Sequence, residues 1–490
     1  METTIKLSAD QVTAVETIVS WYQGIPVTDI AHFCDEGTRE TEEAGGCPRG
    51  AHTHGRAHEY PVMSLGGLAG TGKTTVMGEI TKRLKAQVAY CAPTHKAAAV
   101  LRRKLPDVEK TAEDGTTYTA RPNVSTYHAL IYYPHTYYYC DRSKLDVVED
   151  DEAGGAAAKA WVPCGEHHGL DCKVRERLVF EKRAYLGGWK HVIIVDESSM
   201  VSTEQINDLR SFGVPVLLVG DHGQLPPVKA DMNPWIKTPT ACLEINHRQG
   251  EGASITQLAH SVRNGHTVGL MDASSEIGVL FRALHGDHVT ALFDRFECGP
   301  RRVVITWKNK TRVAMNQLMR SKTGDPDGLP RVGDRVISLA GAHLFPFIRD
   351  KEGELKISRN LSHRIYVHNG QTGTVTAVGE RDKQGLTIGL SIALDDVRDC
   401  QGDDAVVFTH AAVHQFNEYS ALPLNSQLRP PKTYSLPWTM WDYGYAITAH
   451  KAQGSEYDDV IVIDENPMDY ERWVYTAVTR AARRLVVVKW

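Results

Sequence analysis

No apolar run in this chain approaches the roughly 20 residues that a membrane-crossing helix needs. The opening residues, METTIKLSAD, lack the apolar core of a secretory signal. These two absences set the expectation of a cytoplasmic protein with no membrane partner. Positive charge is not in excess either, since 55 Lys and Arg stand against 60 Asp and Glu, a formal net charge of −5. A nucleic-acid ligand would have to be met by a local groove rather than by the field of the whole molecule. The nine cysteines are odd in number and contain no CxxC pair. Free thiols or a metal site are expected in preference to a disulfide framework. No internal repeat of the solenoid kind is present. What is present is 490 residues, 42% apolar and 23% charged, the profile of a globular chain with room for about two to four domains.

The most specific stretch is GGLAGTGKTT, residues 66–75. It follows an apolar run, YPVMSL, and leads into a helix-like run, VMGEITKRLK. Gly67, four residues, then Gly72, Lys73 and Thr74 make the phosphate-loop spacing. Glycines let backbone N–H groups close around phosphate oxygens, because a Cβ would block the approach. The following helix turns its positive end to the anion. Lys73 can reach the β- and γ-phosphates, and the Thr74 hydroxyl can ligate Mg²⁺. Gly67, Ala69, Gly70, Thr71, Gly72, Lys73, Thr74 and Thr75 are therefore the candidate nucleotide-binding residues.

The rest of the chain alternates. LSADQVTAVETIVSWY has helical spacing, with Ser8 as its N-cap. Residues 35–59 are rich in Glu, Gly and His and read as a surface insertion. QVAYCAP reads as a buried strand, THKAAAVLRRKL as a helix and residues 106–123 as polar loop. HVIIVDESS is an apolar run ending in two acids, the way a central parallel strand delivers carboxylates to its C-terminal edge. VPVLLVGD is a second such strand. After Pro226 the alternation restarts, with ASITQLAHSVRNG and NKTRVAMNQLMR helical and RRVVITW a strand. RVGDRVISL, GQTGTVTAVG, GLTIGLSIAL and DAVVFTH are short, glycine-punctuated strand signals, a β-rich insertion. The α/β pattern returns in YGYAITAHKAQGSEYDDVIVID and VYTAVTRAARRLVVV. The chain closes at Trp490 directly after this last strand, so no C-terminal nuclease or partner-binding domain is expected.

PTHKAAA, STYHAL, VDESSM, GDHGQLPPV, INHRQ, ITWKNK, YAITAHKAQGSE and YTAVTRA occur in a set order. Together with the phosphate loop they resemble superfamily 1 helicases, nearest to the RecD-like and Dda-like group that moves 5′ to 3′. The resemblance runs from Leu7 to the last strand and omits residues 35–59 and 132–186. It implies an α/β fold of two RecA-like P-loop NTPase domains with parallel sheets. A pin-like insertion falls in the first domain and an SH3-like β-barrel in the second. The expected bounds are 1–225 for the first domain, 226–331 and 437–490 for the second, and 332–436 for the barrel.

Two adjacent acids at a strand end suit two tasks, one facing a metal and the other a water. The resemblance assigns Asp196 to Mg²⁺ and Glu197 to the attacking water. A neutral amide at Gln224 suits the γ-phosphate or that water. Arg248 and Arg480 resemble the two arginines that reach the γ-phosphate from the second domain, where a guanidinium spreads over transition-state charge. Gln11 matches an adenine-reading glutamine, and Glu456 takes a nucleotide or interdomain role. Thr94, His95, Thr126, His128, Thr448, His450 and Lys451 match positions that touch the DNA backbone, with short donors suited to phosphate oxygens.

The two insertions carry their own chemistry. Tyr132, Tyr133, Tyr137, Tyr138 and Tyr139 form either a duplex-splitting wedge and stacking platform or an ordinary aromatic hairpin core. Cys140, Cys164, His167, His168 and Cys172 could hold a structural Zn²⁺, or be free thiols and imidazoles. Cys34, Cys47, His52, His54 and His58 pose the same choice upstream. The expected activity is that of an ATP- and Mg²⁺-dependent DNA helicase of phage or bacterial type, a monomeric motor on single-stranded DNA and forks. The alternatives are a translocase subunit working with replication or recombination proteins, and an ATP-gated DNA remodelling factor that does not unwind.

Overall fold

The computed structural model describes residues 7–25, 61–84, 88–111, 117–120, 122, 124–140, 144–146, 159–161, 174–183, 186, 191–227, 230–245, 247, 253–321, 328–383, 385–413, 416 and 438–490. Two parallel sheets dominate. The first has six strands, in the order Ala241–Leu243, Val62–Gly67, Val216–Gly220, Val192–Val195, Val88–Ala92 and Val124–Thr126. Every pairing in it is parallel. Val192 and Ile194 pack into one core, against the helices Ala9–Gln23 and Lys73–Leu84. Ile193 and Val195 pack into the opposite core, with Tyr127, Ile206 and Leu209. That two-sided burial is why the strand reads as a continuous apolar run rather than an alternation.

The second sheet has five strands, all parallel, in the order Ile277–Phe281, Ala481–Lys489, Tyr457–Asp464, Arg302–Thr306 and Ala446–Thr448. Here too Val303 and Ile305 face one core while Val304 faces the other. The α/β class with two parallel sheets is as expected from the sequence. The strand Ala241–Leu243 pairs with Val62–Gly67, so the first sheet takes a strand from beyond residue 225. Residues 106–123 are not wholly a loop either: Val108–Thr111 pairs antiparallel with Thr117–Ala120. Threonine and tyrosine supply β-propensity there that a count of polar residues hides.

The β-rich insertion is a six-stranded sheet, ordered Trp438–Thr439, Asp404–Ala412, Thr387–Arg398, Thr372–Arg381, Arg335–Ser338 and Trp441–Tyr443. All pairings but the first are antiparallel. Its two edge strands are neighbours in sequence, separated only by Met440. Two Cα steps span at most about 7.6 Å, so the opposite edges meet and the sheet curls on itself. Bulges at Val375/Ala377, Val378/Arg381 and Ala393/Arg398 supply the bending.

This curled sheet shares a core with the second parallel sheet, through Val304, Met315, Met319, Val336, Trp441 and Ile461. Buried polar groups stitch the joint. Arg312 on the helix Asn309–Ser321 pairs with Asp442 at 2.8 Å, both nearly inaccessible. Arg320 pairs with Asp334 at 3.0 Å. Asn316 donates to the Tyr443 carbonyl at 3.0 Å and accepts from Ala446 N–H at 2.7 Å.

In the first insertion after the phosphate loop, Tyr132–Cys140 pairs antiparallel with Val174–Lys182 in one ribbon. Tyr132 anchors it, its hydroxyl donating to Asp208 of the helix Thr203–Arg210, while Lys182 reaches the same carboxylate at 3.1 Å. The Tyr133 hydroxyl donates to Glu181 at 2.6 Å. These two tyrosines brace the ribbon's base. Cys164, His167, His168 and Cys172 lie outside the described residues, as do Cys34, Cys47, His52, His54 and His58, and of Cys140 only the backbone is described. Among the described residues no group of three His, Cys, Asp or Glu could hold a metal. None of their helices is long and apolar enough to cross a membrane.

Removing one partner of a buried ion pair leaves an uncompensated charge. Asp442→Ala is expected to lower the unfolding free energy by about 3–5 kcal/mol, read by urea titration. A change near zero would mean that the Arg312–Asp442 pair does not hold the joint.

Candidate active site

Parallel strands end on one edge, and the loops there build the site. A cavity of about 1200 Å³ opens at this edge between the two parallel sheets. It is lined from the first by Gly72, Lys73, Thr74, Thr75, Asp196, Glu197 and Gln224, and from the second by Gly454, Ser455, Glu456, Thr479 and Arg480. Gly70 and Gly72 have φ of 85° and 80°, a region that a side chain rarely adopts. A Cβ on Gly72 would also displace the end of the Gln11 side chain, whose Nε2 lies 2.4 Å from it, but it is the positive φ that reserves the position for glycine. Lys73 is folded back over the loop, donating to the carbonyls of Gly67 at 2.7 Å and Leu68 at 3.0 Å. Its ammonium is 3.9 Å from the buried Asp221 carboxylate. The Thr71 hydroxyl donates to Leu68 O at 2.9 Å and braces the turn.

The acid pair closes the strand Val192–Val195. Asp196 N–H donates to Cys91 O of the neighbouring strand, and Glu197 N–H donates to Asp196 Oδ1, both at 2.9 Å. Glu197 has φ of 50°, a left-handed conformation costing on the order of 1 kcal/mol or more. Burial, with the Glu197 charge beside it, pushes the Asp196 carboxyl up to about 7. Three polar atoms on the cavity-lining residues, Glu197 Oε2, Gln224 Oε1 and Ser455 Oγ, are buried with no hydrogen-bond partner among the described residues. Leaving each unsatisfied costs about 1–3 kcal/mol, so this edge is built for groups that enter from outside. A divalent cation with phosphates fits that donor set, beside the Thr74 hydroxyl and the Asp196 carboxyl.

Arg480 follows the helix Tyr470–Val478. It donates to three neutral oxygens: Thr476 O at 3.1 Å, Ser455 O at 3.1 Å and Thr479 Oγ1 at 3.2 Å. None of these offsets its charge. Gln11 is engaged at both ends, donating to Thr71 O and accepting from Ser8 N–H, each at 3.1 Å. Glu456 is exposed at the cavity wall. Arg248 lies outside the described residues. The residue before it, His247, donates its N–H to Gly70 O at 2.9 Å.

Three groups that had no role assigned from the sequence organise the site. The Asp10 carboxylate accepts from the N–H groups of Glu244 and Ile245 at 3.1 and 3.0 Å. It thereby pins the segment after the strand Ala241–Leu243 to the first helix. Lys96, on the helix His95–Lys104 of the first sheet, donates across the cleft to the Tyr457 hydroxyl of the second at 3.1 Å. Asp221 is fully buried and accepts from Gly223 N–H at 2.9 Å and from the Tyr475 hydroxyl at 2.7 Å. In the sequence Asp221 shows as the acid that ends the apolar run VPVLLVGD, with no role attached to it there.

The expected DNA-contacting residues end or follow the last two strands at one end of the first sheet and the outer strand Ala446–Thr448 of the second. Thr94 and Thr126 cap helices, accepting from Ala97 N–H at 3.1 Å and Ala129 N–H at 3.2 Å. Thr448 precedes the short helix Ala449–Ala452 without capping it. Burial holds the imidazoles of His95, His128 and His450 below their usual range. They are neutral donors and acceptors at pH 7 rather than cations. Burial, followed by the Arg312 charge, pushes Lys451 down to about 8. His95 stacks on His368 of the curled sheet, with ring centroids 5.4 Å apart and planes inclined by 12°.

Two families match this chain: an AAA domain over residues 51–280 and a UvrD-like helicase C-terminal domain over residues 443–488. The ATP-dependent RecD2 DNA helicase of Deinococcus radiodurans is 28% identical over 440 residues, which cover 87% of this chain and 46% of that protein. Protein R530 of Acanthamoeba polyphaga mimivirus is 24% identical over 178 residues, 34% of this chain and 30% of that one. The chain thus spans less than half the length of these curated relatives. Among solved structures, the Pif1 helicase of Candida albicans aligns at 14% identity and a TM-score of 0.42, over 99% of this chain and 96% of that one. The Bacteroides Pif1 helicase aligns at 17% and 0.41, over 88% of each chain. The AAA match holds the phosphate loop, the acid pair and Gln224, and the helicase match holds Arg480. With the RecD2 relative alongside them, the chain is similar to RecD-like helicases over most of its length.

Proposed function

We propose that this chain is an ATP-driven DNA motor that moves 5′ to 3′ on single strands and separates duplexes at forks. The observation that carries the reading is the cavity between two parallel sheets, with Glu197 Oε2 and Gln224 Oε1 buried at its edge and without a partner among the described residues. The phosphate loop takes the phosphates on its N–H groups, and Lys73 leaves its carbonyl partners to meet the β- and γ-oxygens. Thr74 and Asp196 would hold Mg²⁺, which would supply positive charge to offset that of the phosphates. Glu197 orients the attacking water and takes its proton, and Gln224 holds that water or the γ-phosphate. Arg480, joined by Arg248, brings positive charge to the transferring group from the second sheet.

Closing and opening of the cleft then moves one set of DNA grips relative to the other. Thr94, His95, Thr126 and His128 form one set, and Thr448, His450 and Lys451 the other. The curled sheet plays the part of the SH3-like barrel, and the ribbon Tyr132–Cys140 with Val174–Lys182 that of the pin. Tyr132 and Tyr133 anchor the ribbon, so splitting falls to its outer part.

A duplex with a 5′ single-stranded tail is expected to be unwound with ATP, and one with a 3′ tail is not. The opposite preference, or no unwinding while DNA-stimulated hydrolysis persists, would reject the reading as a stand-alone 5′ to 3′ helicase. Glu197→Gln is expected to bind a fluorescent ATP analogue normally and to lose turnover by roughly 10²- to 10⁴-fold. Retained turnover would remove Glu197 as the base. A phosphate arriving beside Lys451 favours its charged form, so DNA binding takes up a proton around pH 8. Affinity for single-stranded DNA is expected to fall as pH rises from about 7 to about 9, and Lys451→Gln flattens that fall. A pH profile identical in the variant would dismiss Lys451 as a DNA contact.

A further inference from the structure

Tyr475 belongs to the second sheet's helix Tyr470–Val478, yet both hydrogen bonds of its hydroxyl go to the first sheet's loops. Ala69 N–H of the phosphate loop donates to it at 2.8 Å, and it donates to the Asp221 carboxylate at 2.7 Å. The side chain is fully buried. Burial, with the Asp221 charge second, pushes the phenol far above its ordinary range, so its proton stays available for donation. The ring packs closely on the Asp221–Leu225 turn: a Cβ on Gly223 would lie 3.0 Å from Tyr475 Cε1.

The neighbouring contacts run the same way. Leu225 N–H donates to Thr476 Oγ1 at 3.0 Å, and Gln453 Nε2 donates to Leu225 O at 3.2 Å. The turn that carries Gln224 is therefore held at both ends by side chains of the second sheet. Thr476 O, in turn, accepts from Arg480 Nε at 3.1 Å. A continuous set of buried bonds runs from the phosphate loop through Tyr475 and its helix to the guanidinium.

We propose that Tyr475 is a positioning residue whose hydroxyl fixes the Arg480 helix against the phosphate loop and the Gln224 turn. Movement of the loop around a nucleoside triphosphate is passed through this phenol to the arginine, and the inference rests on the ATP-hydrolysing reading above. Phenylalanine keeps the ring and its packing, and removes one donor and one acceptor. Ala69 N–H and Asp221 then each lose a partner, and the helix loses its register on the loop.

The test uses the purified full chain with saturating oligodeoxythymidylate. Tyr475→Phe is expected to lower kcat by roughly tenfold or more. KM and the affinity for a fluorescent ATP analogue should change by less than about threefold. If Tyr475 acts through Arg480, Tyr475→Phe adds little to the loss already caused by Arg480→Lys. Losses that multiply in the double variant would overturn the proposal. So would a lowered melting temperature with an unchanged kcat, which is what a purely structural hydroxyl predicts. Should Tyr475→Phe fail to fold, Thr476→Val reads the same coupling through Leu225. It is expected to lower kcat in the same direction, and an unchanged kcat there overturns the proposal. A wild-type chain that hydrolyses no ATP with DNA would sink the functional reading and this inference with it. An active wild type matched by Tyr475→Phe sinks this inference alone.

Discussion

Asp221 is the point on which the two halves of the cleft depend. Its carboxylate is fully buried and takes hydrogen bonds from Gly223 N–H and the Tyr475 hydroxyl, with the Lys73 ammonium 3.9 Å away. A buried carboxylate without such partners would cost several kcal/mol. Satisfying it draws together a loop of the first sheet, the phosphate-loop lysine and a helix of the second. Once that joint is made, the C-terminal edges of both parallel sheets face one cavity, and the acid pair and Arg480 line the same space.

Around that joint the site is left deliberately incomplete. Lys73 is tied to two backbone carbonyls, Glu197 is held in a left-handed backbone, and three buried oxygens on the cavity wall lack partners among the described residues. The strained backbone and the unpartnered oxygens each cost stability in the empty state, and under the proposed function phosphates, a cation or a water would supply the missing partners. A protein that only stored a nucleotide would have no need for an arginine delivered from a second sheet. A cleft whose filling draws two sheets together is the physical basis of the proposed motion along DNA.

The parts legible in the sequence are those set by local rules. The phosphate loop announces itself because the positive φ at residue 72 reserves that position for glycine. The strand Val192–Val195 shows as an unbroken apolar run because both of its faces are buried. The β-rich insertion showed through its glycine-punctuated strands and was expected to close as a barrel, but the closing pairs of Thr439 and Trp441 lie beyond the expected bound at residue 436. Long-range pairs were invisible. Asp221 and Tyr475 lie 254 residues apart, and Asp10 meets Glu244 and Ile245 across 234 and 235. The tyrosine-rich stretch read alike as wedge or core, and Tyr132 turned on a single partner, Asp208, that no spacing rule predicts.

The central claim is that the cleft hydrolyses ATP and that DNA held across both sheets drives the cycle. It is tested most directly by the rate of phosphate release from the purified chain with ATP and Mg²⁺, titrated with single-stranded DNA. The account predicts a slow rate without DNA that rises to a saturating plateau as the strand is added. A rate of zero, or one that DNA does not change, would contradict it.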